Sequence, residues 1–315
     1  MCADKRNVLI IYGPTASGKS AFAIKIAKKI GGEIVNADST QLYSELPILT
    51  AQPSFDDFRE VPHHLYNFVP PNVHVDASLW LKFLDEKLRY LDSLRVTPII
   101  VGGTGLYISA LLNGLSYIPT ISNQQKSKVF EEFHSTSRED FYEKLTKLDP
   151  LARRLHKNDT QRILRAMEVI VATGKSIFEW WKTGNFQNNF TDRYNFVKIY
   201  IAPKREIVYE NCSNRFRQML DFGVIEEVEN FNQKFGKAPH ELEKIIGFRE
   251  LTAFLNGEIP ISDAVNEAVK NTMHYAKRQY TWFNNKILSD IVIERPSDDE
   301  DLGVLKLQEI LEHNF

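Results

Sequence analysis

Gly13-Pro-Thr-Ala-Ser-Gly-Lys-Ser20 limits this chain more than any other stretch, because its spacing suits one local architecture. Gly, four residues, then Gly-Lys-Ser is the pattern of a phosphate loop. Asn7-Val-Leu-Ile-Ile-Tyr12 precedes it, an apolar run that predicts a buried parallel strand. Ala21 to Lys29 follows, with Phe22, Ile24, Ile26 and Ala27, and then Ile30, at mixed helical spacing. Gly13 and Gly18 let the backbone curl so that successive amides point at an anion. All of Gly13, Pro14, Thr15, Ala16, Ser17, Gly18, Lys19 and Ser20 are therefore candidates for holding it. Lys19 adds a point charge, Ser20 offers a hydroxyl to Mg2+, and the helix N-terminus adds its partial charge. The motif predicts a bound pyrophosphate or triphosphate. It names an anion, not a reaction.

At 315 residues the chain is long enough for one large domain or for a core with an insertion. Hydrophobic residues at 43% and charged residues at 25% are ordinary globular proportions. No apolar run is long enough to cross a bilayer and the N-terminus lacks a secretory pattern, so a cytoplasmic location and no membrane partner are expected. Cys2 and Cys212 lie far apart and suggest neither a disulfide framework nor a zinc site. A formal net charge of −2 does not announce nucleic acid, although local patches can bind it.

Gly31-Gly32 ends the first helical pattern, and Glu33 to Asp38 reads as a second strand. Ligands of parallel sheets sit beyond the carboxyl ends of the strands, so Asp38 is expected to face the same crevice as the phosphate loop. Asp38-Ser39-Thr40 is also good capping material, and both readings stay open here. Leu46 to Pro53 reads as a loop, and His63 and His64 as packing or hydrogen-bonding residues. Asp76 to Leu94 predicts a capped amphipathic helix. Thr97 to Val101 predicts a third strand, running through Gly102-Gly-Thr-Gly105 into a helix at Leu106 to Asn113. That second strand–glycine–helix junction is a candidate wall of the site.

From about Pro119 to Tyr194 the alternation stops and the chain reads as helical and modestly basic. Within it a helix opens at Asn158 or Asp159, carrying Gln161 near its start and Arg162 and Arg165 on one face. A solvated face is the plain alternative for those arginines, and Trp180-Trp181 reads as local packing. Phe196 to Ile201 returns to the sheet, and Arg205 to Phe222 predicts a helix that sets Arg215 beside the core. Asp263 to Phe283 predicts a long helix ending in Lys277, Arg278, Gln279, Tyr280, Trp282 and Phe283. Cations interleaved with aromatics suit an RNA backbone. Asp298 to Phe315 reads as an acidic terminal helix.

Several of these pieces together resemble the tRNA dimethylallyltransferase (tRNA isopentenyltransferase) family. They are GPTASGKS, ADSTQLY (Ala37 to Tyr43), VPHHL, VGGTGLY (Val101 to Tyr107), NDTQRILRAMEV (Asn158 to Val169), TGKS (Thr173 to Ser176), RFRQML (Arg215 to Leu220), IIGFRE and AKRQYTWF (Ala276 to Phe283). They occur in family order from about Tyr12 to Phe283. The resemblance implies an α/β fold: a P-loop NTPase-like parallel sheet flanked by helices, in 1–118 and 195–315, with a mostly helical tRNA-binding insertion at 119–194. It implies transfer of dimethylallyl from its diphosphate to the amino group of the adenosine 3′ of the anticodon, by a monomer using Mg2+. Asp38, Lys19 and Arg215 correspond to catalytic positions, with Asp38 the general base. Arg215 and Thr15 join the loop in binding diphosphate, and Ser20 is the metal ligand. The anticodon stem-loop is assigned Asp38, Ser39, Thr40, Gln41, Thr104, Lys126, Gln161, Arg162, Ile163, Leu164, Arg165, Lys244, Gly247 and Arg249. Lys277 and Arg278, on the basic–aromatic helix end, join that list.

The chain departs from the family pattern at Leu49 and Gln52, where Gly and Lys are usual, and at Lys157 and Thr160, where Pro is usual. A C-terminal zinc finger is absent, which gives a bacterial or organellar type. Three other readings remain: a small-molecule kinase using the loop for ATP, a prenyltransferase acting on free adenine nucleotides, and a non-catalytic RNA-binding protein.

Overall fold

A computed structural model describes residues 5–182, 186–187, 190–236 and 240–294, with backbone alone at 186, 187, 240 and 241. Cys2 and the expected terminal helix at Asp298 to Phe315 lie outside the described residues. The chain divides into two compact units, Met1–Leu112 with Phe190–Phe315, and Asn113–Asn189.

The first unit is an α/β layer structure around six parallel strands. They are β1 (Arg6–Tyr12), β2 (Glu33–Asn36), β3 (His63–His64), β4 (Pro98–Gly102), β5 (Tyr194–Ile201) and β6 (Ile291–Ile293), in spatial order β3-β2-β4-β1-β5-β6. Val8, Leu9, Ile10, Ile11 and Tyr12 are all fully buried, because a strand in the middle of a parallel sheet is covered on both faces. Truncating Leu9, Ile10 or Ile11 to alanine costs roughly 2–5 kcal/mol. The register levels the strand ends: Tyr12 pairs with Gly102 on one side and Tyr200 on the other, and Asn36 pairs with Val101. The phosphate loop, the Asp38 segment, the Gly103 turn and Ala202 therefore leave the sheet along one edge.

The strand expected as the third is the fourth, since the two histidines form a short edge strand beside β2. Two residues are too few to show alternation. His63 Nδ1 lies 2.7 Å from the Val61 carbonyl and must carry its proton there, while His64 Nε2 lies 2.6 Å from Glu33 Oε2. Helices α1 (Lys19–Ile30), α2 (Ala77–Leu94) and α3 (Gly105–Asn113) connect these strands. Asp76 caps α2 by accepting from the Leu79 N–H at 2.9 Å. On the same helix, fully buried Trp80 stacks on Tyr107 of α3 with centroids 4.5 Å apart.

The second unit holds α4 (Asn123–Ser135), α5 (Arg138–Leu148) and α6 (Thr160–Thr173) around their own core of Phe141, Leu145, Ile163, Ala166 and Met167. Asp159, not Asn158, caps α6, accepting from the Arg162 N–H. A buried polar pair sits inside the unit: Ser176 Oγ donates to Asp149 Oδ2 at 2.7 Å. The TGKS segment thus serves this unit's packing. After β5 the first unit resumes with α7 (Arg205–Asp221), α8 (Val224–Phe235), α9 (Phe248–Leu255) and α10 (Ile261–Lys286). Among the described residues, no helix is long and apolar enough to cross a membrane.

Candidate active site

Gly18 stands at φ 85°, a left-handed turn that only glycine adopts cheaply, and α1 starts on the next residue. The loop is gripped from α7. Asn211 Nδ2 donates to the Ala16 carbonyl at 3.0 Å, and Arg215 Nη2 donates to Thr15 Oγ1 at 2.7 Å. Residues four apart share a helix face, so one side of α7 holds two consecutive loop residues. Lys19 Nζ donates to the Pro14 carbonyl at 3.3 Å. Burial pulls its pKa down to about 8; Asp38 opposes that fall and Arg215 adds to it. Burial also disfavours the Arg215 charge, with Cys212 and Asp38 acting against it. Two desolvated cations and a carboxylate therefore feel one another in this unit. A compact anion is the ligand such cations favour, because it restores the charge environment that burial removed.

Asp38 is held by its neighbour. Asn36, itself fully buried, accepts the Asp38 N–H at 2.7 Å and donates to the carbonyls of Asp38 (3.0 Å) and Leu65 (2.9 Å). Trp80 Nε1 donates to the Asn36 carbonyl at 3.0 Å, tying this strand end to α2. No helix follows Asp38. Its Oδ1 accepts from the Thr40 N–H (3.1 Å) and the Thr40 hydroxyl (2.8 Å), a local turn that replaces the helix-cap reading. No hydrogen bond to Oδ2 is found among the described residues. Thr104 joins this turn to the one after β4: its N–H donates to the Ala37 carbonyl at 3.2 Å, and its Oγ1 accepts the Ser39 N–H at 2.9 Å.

Beside the loop lies a cavity of about 220 Å³, lined among others by Ser20, Ile24, Gln41, Gln52, His63 and Tyr66. Burial, with smaller contributions from Asp38 and Asp57, raises the Tyr66 hydroxyl well above its usual range. Gln41 Nε2 donates to the carbonyls of Thr50 and Ala51, so it braces the 46–53 loop. That loop is fastened by Glu227 of α8, which accepts the N–H groups of Ile48 (2.7 Å) and Leu49 (2.9 Å). Leu49, where the family pattern has glycine, is buried beside Gly247, where an added Cβ would stand 2.8 Å from Leu49 Cδ1 and 3.2 Å from Phe216 Cε2. Gln52, where the pattern has lysine, donates to the Tyr43 carbonyl at 2.9 Å.

The donor set suits a magnesium ion carried by its phosphates. Ser20 presents an exposed hydroxyl beside the cradle, and no group of three or more His, Cys, Asp or Glu among the described residues could hold a metal alone. Mg2+ keeps several waters and needs few protein ligands when phosphate supplies the rest.

A family model described as IPP transferase matches residues 41–286, and a second, described as isopentenyl transferase, matches residues 6–65. The chain belongs to the IPP transferase family. It is 42% identical over 280 residues to the tRNA dimethylallyltransferase of Ehrlichia canis, covering 89% of this chain and 92% of that one. It is 37% identical over 309 residues to that of Rickettsia bellii strain OSU 85-389, covering 98% and 97%. Among solved structures it is similar to a eukaryotic dimethylallyltransferase acting on tRNA, with TM-score 0.78 and 25% identity over 97% of this chain and 78% of that one. It is also similar to the tRNA delta(2)-isopentenylpyrophosphate transferase of Staphylococcus epidermidis, with TM-score 0.69 and 29% identity over 99% and 100%. The expected parallel α/β core and the family resemblance both hold.

Of the residues that the IPP transferase resemblance assigns to RNA, Ser39, Thr40, Gln41 and Thr104 belong to the knitted strand ends around Asp38. Lys277 and Arg278 are exposed on α10, with the Arg278 guanidinium 5.7 Å from the Tyr275 ring. Lys244 and Arg249 are exposed, and Arg249 lies 3.7 Å from Glu243. Gly247 is buried, and its N–H donates to Glu250 at the start of α9. In the second unit Lys126, Gln161 and Arg162 are exposed. Ile163 is a correction: it is fully buried in that unit's core, and Leu164 packs partly against the same core. The run 161–165 is no single surface, since helical periodicity turns 163 inward while 161, 162 and 165 reach the outside. Asn36, Tyr66, Asn211, Tyr275 and Gln279 escaped sequence reasoning. Each acts across the fold, and only Gln279, inside the AKRQYTWF run, stood in a motif that pointed at it.

Proposed function

We propose that this protein transfers a dimethylallyl group from dimethylallyl diphosphate to the exocyclic amino nitrogen of the adenosine 3′ of the anticodon in tRNA. The observation that carries the reading is the electrostatic meeting of Lys19, Arg215 and Asp38 around one phosphate loop. The allylic C–O bond breaks and negative charge concentrates on the departing diphosphate. Lys19, Arg215, the Thr15 hydroxyl and the loop amides stabilise that charge where it develops. Magnesium, when bound through Ser20 and the diphosphate, adds Lewis-acid stabilisation of the same oxygens. The amino nitrogen attacks the electron-poor carbon, an N–C bond forms, and a proton must leave the nitrogen. Asp38 Oδ2 receives it, while Oδ1 stays fixed by Thr40. The adenine leaves its stack to reach the carboxylate.

Lys126, Gln161, Arg162, Arg165, Lys244, Arg249, Lys277 and Arg278 grip the anticodon stem-loop. The exposed ion pairs of Arg162 and Arg165 are worth little in water, so phosphates can replace them. The reading places a monomer in the cytoplasm.

Mass spectrometry of an unmodified tRNA pool after incubation with dimethylallyl diphosphate and Mg2+ tests it. The expected product is one five-carbon unit on the adenosine 3′ of the anticodon, with diphosphate released. Phosphorylated nucleosides with ATP and no prenylated RNA would instead mark a kinase. Prenylation of AMP as efficient as that of tRNA would mark an enzyme of free nucleotides.

A further inference from the structure

Lys277, Arg278 and Gln279 are consecutive on α10, yet the two cations are exposed and the amide is 6% exposed. Gln279 Oε1 accepts the backbone N–H of Thr15 at 2.7 Å, and Nε2 donates to the Gly103 carbonyl at 2.8 Å. The Tyr275 hydroxyl, one turn back on the same helix, lies within the electrostatic influence of both Gln279 and Asp38. Both ends of the amide are thereby engaged, its oxygen by the phosphate loop and its nitrogen by the turn after β4. Thr15 is consequently held at both ends, by Gln279 on its N–H and by Arg215 on its hydroxyl.

The turn after β4 is shaped to receive this helix. A Cβ on Gly103 would stand 2.5 Å from Gln279 Nε2, and one on Gly105 would stand 2.5 Å from the Trp282 ring. Gln279 and Trp282 are three apart on one helix face, so each glycine is the seat of one side chain. We propose that Gln279 is a positioning residue for the donor site, setting the phosphate loop against the Gly102–Gly105 turn so that Thr15 and Arg215 meet the diphosphate correctly. This rests on the proposed donor role of the loop. It gives the α10 segment a second task, facing inward, beside the RNA contacts proposed for its exposed cations.

The test uses the full chain with four variants: Gln279→Ala, Gln279→Glu, Gly103→Ala, and the first and third combined. Calorimetry reads binding of inorganic pyrophosphate with Mg2+ and of unmodified tRNA, and steady-state kinetics reads kcat and KM for each substrate. Gln279→Ala is expected to lower donor kcat/KM on the order of 10–100-fold while leaving tRNA affinity within about twofold, since small misplacements of reacting groups are costly. Gln279→Glu should do no better: it can still accept from Thr15, but turns an oxygen on the Gly103 carbonyl. Gly103→Ala should damage the wild-type background and cost less on Gln279→Ala, where the 2.5 Å clash with the amide is gone and a tight 3.3 Å approach to the Gly13 carbonyl remains. Loss of tRNA affinity with donor binding intact would overturn the proposal and make Gln279 an RNA contact. Lower melting temperature with unchanged donor constants would reduce it to packing, and so overturn it too. If the wild-type chain binds neither pyrophosphate nor dimethylallyl diphosphate, the donor-site reading itself fails, and this proposal with it.

Discussion

Arg215 in the α/β unit and Arg162 in the helical unit use one side chain in opposite ways. Arg215 is half-buried, gives a hydrogen bond to the phosphate loop, and shares its desolvated surroundings with Lys19 and Asp38. Arg162 is exposed, and its partner is Asp159 on its own helix at 2.7 Å, with its side chain 69% exposed. A buried cation has lost most of its water, so a small dense anion gains strongly by approaching it. An exposed, self-paired cation gains little from any single phosphate and acts through number and salt-sensitive attraction. On the proposed reading, the contrast separates a side chain suited to one small charged group from one suited to following a polymer.

The largest effect should come at the one acid in the first environment. Asp38→Asn keeps the shape and the Thr40 contacts of Oδ1 but cannot take a proton. Single-turnover transfer is expected to fall on the order of 10²–10⁴-fold, with pyrophosphate and tRNA binding nearly unchanged. Normal turnover would remove the carboxylate from the chemistry.

A smaller effect concerns the half-buried Lys19. Its pKa stands at about 8, below the ordinary value of 10.5, because burial disfavours the charged form. The protonated form binds the anion, so kcat/KM for the donor should be level below that pH. Above it, the constant should fall by about tenfold per pH unit as the free enzyme loses the proton. A profile flat through pH 9.5 would mean that Lys19 does not carry donor affinity.

The smallest effect belongs to the exposed helix. Arg162→Ala should weaken tRNA binding only a few-fold and reduce the slope of log affinity against log salt by about one. An unchanged slope would leave Arg162 as solvated surface and narrow the contrast to one unit.

What could be read in advance followed from periodicity and spacing. The apolar run into Gly13 announced β1, helical spacing behind a capping Asp76 announced α2, and a capping residue at 158 or 159 announced α6. The 3.6-residue repeat of α6 held the signal that turns Ile163 inward, which a block reading of 161–165 passes over. The levelled strand ends also explain why Asp38 could be placed near the loop from its position alone. The supports were not legible. Asn36 ties the Asp38 strand end to the Leu65 carbonyl 29 residues on, Glu227 fastens a loop 179 residues earlier in the chain, and Gln279 reaches Thr15 across 264 residues. Such bonds leave no local pattern, because either partner alone looks like an ordinary polar residue. The Leu49 and Gln52 departures become intelligible only once Gly247, Phe216 and Tyr43 are seen around them.

The bond from Gln279 to Thr15 has a consequence for how the enzyme is made. Domains form from the N-terminal end as a polypeptide emerges from the ribosome. Here the phosphate loop is completed by a residue made 264 positions after Thr15, and the whole helical unit is synthesised in between. A nascent chain therefore carries its anion-binding motif early but holds it in working shape only after α10 has emerged. On the proposed donor role of the loop, copies made only as far as the helical unit would hold a diphosphate poorly.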